Sequence, residues 1–216
     1  ETPVIDAGGK YILPGIIDVN RSFYHHFCYD QQRLLRLLKS QIISGTTFWI
    51  DALPIHELAT ISDTLNMDSI AIPDYSFHLL VDGIFCQNPE SFLPLLCTHG
   101  ITSMVFHWPL QENIPENRLN HVFEFAKQHN FLVLFDLQFL HQYDNSDNDI
   151  ASDTVMGYHL DQLQALAQMV EMFRFKACFL NVHFVEELSI LKKLRTNCEI
   201  FAELELSVTL GGKDAF

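Results

Sequence analysis

Side chains able to do chemistry stand at the ends of apolar runs in this 216-residue chain. Asp18-Val19-Asn20-Arg21-Ser22 closes the first run, and His107 closes Thr102-Ser103-Met104-Val105-Phe106-His107. Asp136 follows the apolar stretch that ends at Phe135, and His183 sits in Asn181-Val182-His183-Phe184. A carboxylate in an apolar strand must find a partner or become neutral, because an unpaired buried charge is costly. Arg21 is a cation of suitable type to pair with Asp136, since a guanidinium stays protonated at any relevant pH. His78 and His107 lie within apolar runs, where an imidazole commonly hydrogen-bonds across neighbouring strands. His183 alone reads first as a core or rim histidine. The five cysteines are scattered, with no CxxC spacing, which argues against a disulfide framework and a zinc ribbon. Cys178 reads as a small buried hydrophobe.

The elements that must position these groups alternate along the chain. Strand-like runs fall at Ile16–Asn20, Thr46–Asp51, Ser76–Val81, Ser103–Trp108, Leu132–Gln138, Cys178–Phe184 and Glu199–Leu206. Between them lie amphipathic patterns at Asp30–Ser44, His56–Leu65, Pro89–His99, Glu116–His129, Leu160–Phe173 and Val185–Thr196. Strand then helix, repeated, is the pattern of parallel βαβ units. The strands are nearly continuous apolar runs, as expected where both faces are covered. Gly45 and Gly100 follow helical stretches at C-cap positions, and Pro89 stands at a helix start. The acidic stretch Asp144–Asp153 reads as a solvated loop.

Composition narrows the function classes. Hydrophobic residues make up 48% of the chain and charged ones 19%, a globular composition. The net charge of −14 argues against a nucleic-acid binder and against docking on anionic lipid. No apolar run reaches the ~18–20 residues of a membrane span. The N-terminus lacks the basic and apolar regions of a signal peptide, and the cysteine usage suits a reducing, cytoplasmic compartment. A doubly wound sheet normally carries a Gly-rich phosphate loop after its first strand, which is absent here. A (β/α)8 barrel of TIM type is the better expectation, with about seven βα units in view and the chain one unit short of closure.

The run Val4-Ile5-Asp6-Ala7-Gly8-Gly9-Lys10-Tyr11-Ile12-Leu13-Pro14-Gly15-Ile16-Ile17-Asp18-Val19 resembles the lead-in to the barrel of the amidohydrolase superfamily. The branch it resembles comprises dihydroorotase, hydantoinase (dihydropyrimidinase) and allantoinase. Collinear matches follow at Ser44-Gly45-Thr46-Thr47, Asp74-Tyr75-Ser76-Phe77-His78, His99-Gly100-Ile101-Thr102-Ser103, Val182-His183 and Ala202-Glu203. The resemblance runs from Val4 to about Ser207. It implies that residues 1–15 are the end of a small β domain plus the lead-in, and that residues 16–216 form a partial barrel.

The resemblance also implies a ligand set for one or two divalent metals, made of imidazoles, carboxylates and a bridging carboxylated lysine. Such metals activate water and polarise an amide carbonyl. The two histidines expected after the first strand are replaced by Asn20 and Ser22, with Arg21 adding fixed positive charge between them. Val105 stands where the lysine is expected and Asp136 where a histidine is expected, while His183 keeps its type. No HxH occurs in the chain.

These substitutions point to a metal-free, catalytically inactive dihydroorotase-like homologue with a structural or regulatory role, suspected in pyrimidine metabolism. In that reading no cofactor is expected, Arg21 and Asn20 are binding residues, and the partner is a second copy or an aspartate transcarbamoylase-like protein. The alternative is an active cyclic-amide hydrolase holding a single zinc on Asp136, His183 and His107, since mixed imidazole and carboxylate sites suit that ion. A third reading is a metal-free binding protein in which Arg21 grips a carboxylate ligand.

Overall fold

A computed structural model describes residues 6–21, 31–58, 74–108, 114–137, 152–182 and 185–204. Seven strands form one sheet: β1 (Ile16–Arg21), β2 (Thr46–Pro54), β3 (Asp74–Leu80), β4 (Ser103–His107), β5 (Leu132–Asp136), β6 (Lys176–Val182) and β7 (Ile200–Leu204). Each pairs in parallel with the next in sequence, and the order runs from β1 to β7 without a crossover. The intervening helices are α1 (Gln31–Ile43), α2 (Ile55–Leu58), α3 (Leu93–Thr98), α4 (Glu116–Gln128), α5 (Ser152–Phe173) and α6 (Val185–Leu194). The sheet curls into an open barrel, the partial TIM architecture expected from the alternation.

Strand residues alternate between two apolar environments. Trp49, Leu53, Leu79, Met104, Phe106, Val133, Phe135 and Phe179 pack against the helices in the main core. Phenylalanine fills this layer: the ring centroids of Phe106 and Phe135 lie 5.5 Å apart, and those of Phe123 and Phe175 5.0 Å. The out-of-phase residues Val105, Leu134 and Leu180 form a separate cluster with Ala52, Leu80, Leu132 and Cys178 on the inner face. Both faces are thus apolar, which accounts for the unbroken hydrophobic runs in the sequence.

Gly45 and Gly100 end α1 and α3 with φ of +92° and +65°, a region that glycine enters without a Cβ clash. Two expected helices differ. The stretch Pro89–His99 is a 3-10 turn, Pro89–Phe92, followed by α3, because Pro94 lacks an N–H and sits where a helix restarts. Helix α5 begins at Ser152 rather than Leu160, so Ser152 and Asp153, read as the end of the acidic loop, belong to its first turn. Serine and aspartate favour helix starts, where they meet exposed N–H groups. Most of the predicted helix His56–Leu65 lies outside the described residues, α2 being the part in view. No helix among the described residues is long and apolar enough to cross a membrane.

Candidate functional site

The C-terminal ends of parallel strands form the face where βα barrels place their chemistry. Strands β4 and β5 run in register, Val105 beside Leu134 and His107 beside Asp136. The register therefore places the two chemically capable side chains together at the inner rim, while Phe106 and Phe135 between them face the helices. His107 Nδ1 lies 3.1 Å from Asp136 Oδ2, a distance at which the imidazole N–H donates to the carboxylate. The Asp136 side chain is 6% exposed and that of His107 32%. Asp136 is thus the anchor of the pair, and His107 the member that meets solvent.

Asn181 completes the arrangement. Its Nδ2 donates to Asp136 Oδ1 at 2.6 Å. In a regular strand Asn181 would alternate away from Leu180, which pairs with Asp136. Instead Asn181 has φ of +58°, and the β6–β7 register shifts between Phe179 and Val182. Asparagine tolerates this left-handed conformation better than most residues, and the bulge brings its amide to the carboxylate. The backbone is fixed alongside: Trp108 N–H donates to Asp136 O at 2.8 Å, and Leu137 N–H to Leu180 O at 3.2 Å.

One layer deeper the inner face is apolar. Val105 is 4% exposed and packs with Leu134 and Leu180. Nearby, His78 is 5% exposed. Its Nε2–H donates to Val19 O at 3.0 Å, which leaves Nδ1 to accept from the Ser103 hydroxyl. This is a neutral tautomer tying β1, β3 and β4 together. Burial holds its pKa below the ordinary histidine value, with the Val19 hydrogen bond opposing the shift.

Of the residues singled out in the sequence, the fold brings together His107 and Asp136. Asn20 and Arg21 end β1, with Arg21 in register opposite Asp51, and the side chains of both lie outside the described residues. Ser22 and His183 lie wholly outside them, so the Arg21–Asp136 pairing concerns a side chain outside the description. Trp49 and Trp108 are buried, as expected of core or rim residues. The sequence reading missed Asn181, whose signal was a lone amide between Leu180 and Val182. It also missed Asp51, fully buried on the helix side of β2 between Trp49 and Leu53.

Val105 offers no donor atom at the position where the resemblance expects the bridging lysine. Among the described residues, no group of three or more His, Cys, Asp or Glu side chains is placed to hold a metal ion.

No protein-family model matches the chain, and no curated protein matches it. Solved structures do. An L-hydantoinase (dihydropyrimidinase) from Arthrobacter aurescens aligns over 93% of this chain and 49% of its own, with a TM-score of 0.65 and 12% identity. A D-hydantoinase from a Bacillus species aligns over 93% of this chain and 48% of its own, with a TM-score of 0.63 and 17% identity. A dihydropyrimidinase from Brevibacillus agri aligns over 74% and 39%, with a TM-score of 0.56 and 17% identity. The chain spans less than half the length of each of these proteins. Its seven-stranded parallel half-barrel has the fold of the hydantoinase and dihydropyrimidinase barrels, an amidohydrolase-like fold.

Proposed function

We propose that this chain is a metal-free, catalytically inactive relative of the hydantoinase and dihydroorotase barrels, with a structural or regulatory role. The observation that carries this reading is Val105, buried with Leu134 and Leu180 where a charged bridging ligand would have to stand. A lysine-derived carboxylate placed there would be desolvated among aliphatic side chains, which costs several kcal/mol without a compensating cation. The neighbouring carboxylate, Asp136, is satisfied by His107 and Asn181. These hydrogen bonds stabilise the carboxylate with groups of the protein itself. The reading extends to a cytoplasmic protein whose partner is a second copy or an aspartate transcarbamoylase-like subunit of pyrimidine metabolism.

A second reading rests on the same pair. His107 and Asp136 supply one imidazole and one carboxylate at adjacent strand ends, a start toward a single-zinc site that His183 would complete. There the metal would supply Lewis-acid activation of water for hydrolysis of a cyclic amide. One experiment separates the two readings. Protein purified without added metal is analysed for zinc, iron and manganese, and assayed on hydantoin, dihydrouracil and dihydroorotate with and without added zinc. The first reading expects well under one equivalent of metal and no turnover under either condition. Near-stoichiometric metal with zinc-dependent turnover that is lost in His107→Ala would replace it with the second.

A further inference from the structure

No further inference is drawn: the strongest candidate, the surface patch of exposed apolar side chains along the lead-in to β1 and the end of α1 (Tyr11, Ile12, Leu13, Ile16, Ile17 and Ile43), is an unpartnered face, and nothing in the structure shows what covers it.

Discussion

Asp136 shows how one buried charge governs its surroundings. Its two oxygens accept from two different side chains, His107 and Asn181, and the Asn181 contact requires a left-handed backbone. Substituting Asn181 separates these effects. Asn181→Gly keeps the backbone and loses the hydrogen bond, and should cost about 1.5–3 kcal/mol, the range for bonds to charged groups. Asn181→Ala should cost about 1 kcal/mol more, because it adds a Cβ in the left-handed region. Equal urea-denaturation stabilities for the two variants would refute the backbone part of this account. His78 makes a different prediction. Burial lowers its pKa below 6.5, so on acidification the unfolded chain takes up a proton before the folded chain does. Its contribution is complete above about pH 6.5 and is lost as pH falls below that value toward the folded pKa. Thermal melts from pH 7.5 to 5 should show a steeper loss of Tm for the natural chain than for His78→Gln, and parallel curves would refute it.

Among the elements, β1 depends on a close approach to β2. Ile16 N–H donates to Gly45 O at 2.9 Å, and a Cβ built at Gly15 would overlap Thr47 Oγ1 and stand 2.6 Å from Thr47 Cβ. Rotation of the Thr47 side chain relieves the first contact but not the second, so Gly15→Ala must push the lead-in away from β2. Overpacking of this kind costs about 1–3 kcal/mol. Gly15→Ala should therefore lower the urea midpoint, and Gly15→Ala with Thr47→Gly should recover most of the loss. No recovery in the double variant would show that the glycine serves some other need. The positions of β4 and β5 were legible from their apolar runs alone. Their ends were less so: β4 stops at His107 and β5 at Asp136, where the chain exchanges ladder bonds for rim contacts.

For the whole molecule, the linear strand order among the described residues pairs β1 with β2 and β7 with β6, each on one side. Apolar side chains stand exposed there, Ile16 at 54%, Ile17 at 62% and Phe201 at 51%. The centre differs, since β4, β5 and β6 are paired on both sides and covered by the phenylalanine layer. Stability is therefore graded across the sheet. Hydrogen exchange on this 216-residue chain should show the strongest protection in β4–β6 and the weakest in β1 and β7. Uniform protection across all seven strands would refute this gradient.

The sequence by itself determined the alternation of strands and helices, the parallel sheet and the apolar character of both its faces. These follow from local periodicity and from the glycines and prolines that punctuate it. It also determined which residue types stand at the strand ends, and that valine occupies position 105 in the layer beneath them. Only the tertiary structure decided who meets whom. The partnership of His107 with Asp136 depends on the β4–β5 register, which no local pattern encodes. The reach of Asn181 to the same carboxylate depends on a positive φ and a bulge in β6. Contacts between residues 29 and 45 positions apart are set by how the strands pack, and that is a property of the folded whole.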